Sequence, residues 1–120
     1  LLGIQDAQQL STHPIKGALF ENLILIDLLK QRLNKGLQDN LYYWRDKTGN
    51  EIDVLLDLPS SITAIEIKAG ATMNTDYQKG LLYFKNLAIT KNIETILCYT
   101  GKTAQKRSNG ILVKPWDKMF

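Results

Sequence analysis

GNEIDVLLDLPSSITAIEIKAG, residues 49–70, decides the fold. It holds two runs rich in β-branched residues, EIDVLLDL (51–58) and ITAIEIK (62–68), with Pro59-Ser60-Ser61 between them. Proline and serine are turn formers, so the stretch predicts two antiparallel strands joined by a tight turn. Side chains alternate across a strand. Ile52, Val54 and Leu56 are therefore expected on one face, with Glu51, Asp53 and Leu55 on the other. In the second strand Ile65 and Ile67 oppose Glu66 and Lys68, and a suitable register sets Asp53 beside Glu66. Charges on a solvated strand face are ordinary. Two carboxylates and a lysine drawn together by strand pairing are also the raw material of a metal site.

Working outward, LYYWRD (41–46) predicts another strand, set off by Thr48-Gly49-Asn50. Before it, residues 14–34 repeat at helical spacing: Leu19, Leu23, Ile26, Leu29 and Leu33 form a stripe that Phe20, Ile24 and Leu28 widen. Pro14 suits the first turn and Gly36 a C-cap, so this reads as a helix mostly covered by protein. Downstream, a helix over 75–91 is expected, capped at Asn74 or Thr75, with Tyr77, Leu81, Phe84 and Ala88 on one stripe. IETILCYT (93–100) is almost continuously apolar and predicts a strand buried on both faces. GKTAQKRSNG (101–110) reads as a polar loop and ILVKPW (111–116) as the last strand. The order α-β-β-β-α-β-β predicts an α/β domain, a small mixed sheet with a helix on each side. Residues 1–13 read as the tail of a preceding segment and 14–120 as the domain. With no initiator Met, the chain reads as a piece of a longer protein.

The 120 residues are 44% hydrophobic and 22% charged, a globular balance, and no apolar run approaches the length of a membrane span. No secretory signal is visible. Cys98 is the single cysteine and lies in an apolar run. It reads as a buried thiol, forms no internal disulfide, offers no cysteine zinc site and suits the reducing cytoplasm. His13 is the one histidine and has no companion ligand. A net charge of +3 permits a polyanionic partner without requiring one. Gly101-Lys102-Thr103 resembles the end of a phosphate loop, but position 96 is Ile where a glycine is needed. Lys102, Lys106 and Arg107 read as a solvated loop, with a phosphate-backbone contact as the alternative. Of Tyr42, Tyr43 and Trp44, the inward members are expected to fill the core.

Glu21 extends the charged set. It sits on the helix flank beside Gly17 and Ala18, small residues that give another element room to approach. Burying a carboxylate there costs several kcal/mol unless it is paired. A helix N-terminal position favoured by the dipole is the plainer explanation. Glu21, Asp53, Glu66 and Lys68 together suit phosphodiester hydrolysis. Mg²⁺ takes hard oxygen ligands and keeps several waters, so two carboxylates suffice, and a lysine steadies charge on the phosphoryl group.

The series Glu21, Asp53, Glu66-Ile67-Lys68 resembles the PD-(D/E)xK nuclease superfamily, whose core order α-β-β-β-α-β agrees with the one above. More closely, HPIKGALFENLILIDLL (13–29), LYYWRDKTGNEIDVLL (41–56) and IEIKAG (65–70) resemble DUF4143, the C-terminal domain of a prokaryotic family of AAA-type ATPases. The resemblance implies a restriction-endonuclease-like fold and an upstream ATPase module that alone would bind ATP. It implies Asp53 and Glu66 as ligands of Mg²⁺ or Mn²⁺, Lys68 as the catalytic lysine, Glu21 as the helix acid and Gln78 as an auxiliary contact. DNA is the implied substrate. Ile52 stands where the superfamily's name has proline. The rival expectation is an inactive module of the same fold that binds DNA or docks a protein onto the ATPase.

Overall fold

The computed structural model describes residues 16–38, 40–70, 75–87 and 92–119. Expectations for residues 1–13, His13, Pro14, Asn74 and Ala88 lie outside these. Helix α1 (Lys16–Asn34) leads into β1 (Leu41–Arg45), β2 (Glu51–Asp57) and β3 (Ser61–Lys68). A 3₁₀ turn (Thr75–Gln78) runs into α2 (Lys79–Leu87), followed by β4 (Asn92–Tyr99), β5 (Gln105–Lys106) and β6 (Leu112–Pro115). The six strands form one mixed sheet in the order β1-β2-β3-β4-β6-β5. β1, β2 and β3 pair antiparallel through their short turns, whereas β4 runs parallel to both β3 and β6. Parallel neighbours need a crossover, and the segment containing α2 supplies the one between β3 and β4.

Each helix has its own core on its own face of the sheet. Leu81 and Phe84 of α2 pack with Ile52, Ala64, Leu97 and Val113, while Ile24 and Leu28 of α1 pack with Val54, Ile65, Ile67 and Cys98. β4 lies between them and is buried from Thr95 to Tyr99, as its unbroken apolar run predicts. Cys98 is inaccessible, and burial pushes its thiol up to about 12, so it packs and does not react.

Two departures from the sequence expectations concern the edge strand and α1. The polar stretch 101–110 contains a sixth strand, β5, which pairs antiparallel with β6. Its two residues are exposed and carry no alternation. A turn brings them back, closed by the Gly110 amide on the Arg107 carbonyl (2.9 Å), with Gly110 at φ +91°. Secondly, among the described residues α1 is covered on one side only. Ile24 and Leu28 are buried, but Leu23, Ile26 and Leu33 of the first stripe are 46%, 52% and 57% exposed. The sheet accepts the i, i+4 row and leaves the other row facing away. The β1 aromatics follow the expectation: Trp44 turns inward, edge-on to Phe84 at 5.2 Å, while Tyr42 and Tyr43 are exposed.

Candidate active site

The site begins with an irregularity in β2. Tyr42 pairs with Leu55 and Trp44 with Ile52, so two steps along β1 match three along β2. The extra residue is a β-bulge at Asp53–Val54. It breaks the expected alternation: Ile52 belongs to the α2-side core and Val54 to the α1-side core, although they are two residues apart. Asp53, between them, turns its carboxylate toward the next strand. Its Oδ2 accepts the backbone N–H of Ile67 at 2.7 Å. The β2–β3 register is regular from Asp57↔Ile62 to Val54↔Ile65 and stops there. A side-chain oxygen thus stands in for a ladder carbonyl.

That substitution sets Asp53 against Glu66, the neighbour of Ile67 on β3. Glu66 is 6% exposed. Burial raises its pKa well above the ordinary carboxylate range; a side-chain hydrogen bond with Asp53 and the Asp53 charge raise it further, against the opposing pull of Lys68. Lys68 Nζ is 3.6 Å from Glu66 Oε1 and lies over the Tyr77 ring, 5.5 Å from its centroid. Glu21 joins from α1. Its pKa is raised first by burial and then by the charge of Asp53, while Lys68 lowers it. Asp53 and Lys68 are therefore within electrostatic reach of both Glu66 and Glu21. Gly17 and Ala18 do not receive a neighbouring element: both are exposed, and a Cβ on Gly17 would meet nothing within 4 Å.

Glu66 and Lys68 open into a shallow cleft of about 210 Å³ between the β1–β2 turn and the start of α2. The turn is rigid. The Asp46 carboxylate accepts the amides of Thr48 (3.0 Å) and Asn50 (2.8 Å) and the Asn50 side chain (3.0 Å). Desolvation raises the Asp46 pKa, but the Asn50 and Thr48 hydrogen bonds outweigh it and hold the group at about 2. Glu51 is exposed yet lines the cleft and accepts the Tyr43 hydroxyl. Gly80 was not singled out from the sequence and proves decisive for the cleft's wall. A Cβ there would lie 2.8 Å from the Glu51 carbonyl oxygen and 3.6 Å from Glu66 Oε2. The legible signal was a glycine inside a helix, which costs about 1 kcal/mol relative to alanine and so asks for a packing reason.

Gln78 is 4% exposed, and its Oε1 accepts the Asn109 side-chain amide at 2.8 Å. This ties the start of α2 to the turn before β6; the cleft lining does not include Gln78. The GKT tripeptide is also accounted for. The Tyr99 hydroxyl donates to the Thr103 carbonyl (2.7 Å) and accepts its N–H (3.2 Å), and a Cβ on Gly101 would run into the Tyr99 ring. The amide that a phosphate loop would offer is spent on the fold.

Among the described residues no group of three or more Asp, Glu, His or Cys side chains is arranged to hold a metal ion. One Asp53 oxygen is committed to the Ile67 amide; the other and the Glu66 carboxylate are two hard donors, a set that fits an ion retaining most of its waters. Among the described residues no helix is long and apolar enough to cross a membrane. No curated protein and no solved structure matches the chain. A family model described as a domain of unknown function, DUF4143, matches residues 16–119, most of the chain, and the protein belongs to that family.

Proposed function

We propose that this domain has a restriction-endonuclease-like core and hydrolyses DNA phosphodiesters with the help of Mg²⁺ or Mn²⁺, as the C-terminal part of an AAA-type ATPase. The observation that carries this reading is the bulge that sets Asp53 against buried Glu66, with Lys68 at 3.6 Å. A like-charged pair held this closely resists double ionisation, and a divalent cation relieves it. Asp53 and Glu66 would hold the ion. When bound it would acidify a water and neutralise charge on the phosphoryl oxygens. Lys68, steadied by Glu66 and the Tyr77 ring, is placed to donate to a phosphoryl oxygen as negative charge develops. Glu21, whose proton is held more tightly because of burial and the Asp53 charge, would be the helix acid on the α1 side.

The decisive experiment is cleavage of plasmid and branched DNA with Mg²⁺ or Mn²⁺ by wild type, Asp53→Asn and Lys68→Ala. Loss of at least about a hundred-fold in both variants is expected; equal rates in all three exclude the catalytic reading. Among the described residues no third ligand joins the pair, which favours a second reading, an inactive module that binds DNA or docks a protein onto the ATPase. It predicts no Mn²⁺ binding by calorimetry and unchanged DNA affinity in Lys68→Ala.

A further inference from the structure

α1 carries apolar rows on opposite sides. Phe20, Ile24 and Leu28 face the sheet. The other row runs through Leu19, Leu23, Ile26 and Leu33, spaced four, three and seven residues apart, with Lys30 at the intervening seam position. That is the 3.5-residue average of a coiled-coil seam. Leu23, Ile26 and Leu33 are about half exposed, and Leu29 beside them is 37% exposed. A helix apolar on both sides is built to be covered on both, and a contiguous patch of this kind marks an association surface.

We propose that the occupant is a second copy of this chain, its α1 packed antiparallel on the first about a two-fold axis near residue 28. The commitment to a second copy rests on self-complementarity. Antiparallel pairing about that axis sets Leu23 against Leu33 of the other copy and Ile26 against Lys30 of the other copy. Each Lys30 then lies one residue from the opposing Asp27, so the lysine that interrupts the seam meets a carboxylate, and symmetry makes the contact twice. A charged residue at a seam position with a partner at the matching offset fixes register and orientation. A foreign helix would have to bring its own acid at that offset; α1 already carries it. The seam from Leu19 to Leu33 is about 21 Å long at 1.5 Å per residue. An interface of this length falls at the low end of specific interfaces, so a weak, concentration-dependent dimer is expected. The inference stands apart from the nuclease reading, since neither seam nor axis includes the cleft.

Sedimentation velocity of the whole chain up to about 0.5 mM at low salt tests it. Wild type should show a concentration-dependent dimer and Ile26→Glu a monomer. Lys30→Glu and Asp27→Lys should each weaken association about ten-fold or more, and the double exchange Asp27→Lys/Lys30→Glu should restore it to within about three-fold of wild type. Far-UV circular dichroism checks that each variant keeps its helices. A wild type that stays monomeric throughout overturns the proposal. So does association indifferent to Ile26→Glu, or a double exchange no better than the single ones.

Discussion

Glu66 folds with its proton. Its pKa rises from an ordinary value of 4.5 because the carboxyl is buried and faces Asp53. The unfolded chain ionises first as pH increases, so it binds fewer protons than the native state across the interval between the two values, and stability falls there. The native advantage is complete below the ordinary value and is lost as pH passes through the raised one. Glu66→Gln keeps a neutral side chain of the same shape. It should leave the melting temperature unchanged near pH 4 and raise it by about 5 °C or more at pH 8, read from thermal unfolding across pH. Asp53 calls for a different control. Replacing it with alanine orphans the Ile67 amide, at a cost of about 1–3 kcal/mol, whereas asparagine retains an acceptor. Hydrogen exchange at Ile67 should accelerate in Asp53→Ala and hold steady in Asp53→Asn; equal acceleration in both contradicts the assigned role.

At the scale of elements, the contact between α2 and β2 depends on Gly80. Alanine gains about 1 kcal/mol of helix propensity and loses more by forcing a methyl against the Glu51 carbonyl, which is backbone and cannot swing aside. Gly80→Ala should therefore lower stability by about 1–2 kcal/mol in urea titration, opposite in sign to the same change in an exposed helix. This level is also where sequence and structure part company. β3 and β4 were legible because their apolar runs and turns leave no other reading, and Glu66 and Lys68 follow from simple alternation along β3. β2 was legible as a strand but not in phase: nothing in EIDVLL announces a bulge, and one extra residue moves Ile52 and Val54 to opposite cores. α1 offered two apolar rows, and periodicity alone does not say which the sheet will take. Gly80 and the Gln78–Asn109 bond were hidden because both join residues that only the fold brings together.

For the whole molecule, the sheet is graded from centre to edge. β4 is flanked by parallel strands and covered by both cores; β1 and β5 are edge strands with exposed residues. Amide exchange should report that gradient: slowest, near the global limit, from Thr95 to Tyr99, and fast at Gln105 and Lys106. Uniform protection across the sheet would contradict it. Asp53 gives the gradient an evolutionary edge. Its carboxylate closes a strand ladder and also faces Glu66, so on the proposed reading selection for folding and selection for chemistry would fall on the same atoms. On that reading, a descendant that abandoned the chemistry would be free to lose the partly exposed Lys68 side chain, yet would still be held to an acceptor at position 53. Across descendants, an aspartate kept at 53 would record the fold, and only a lysine kept at 68 would record the proposed use.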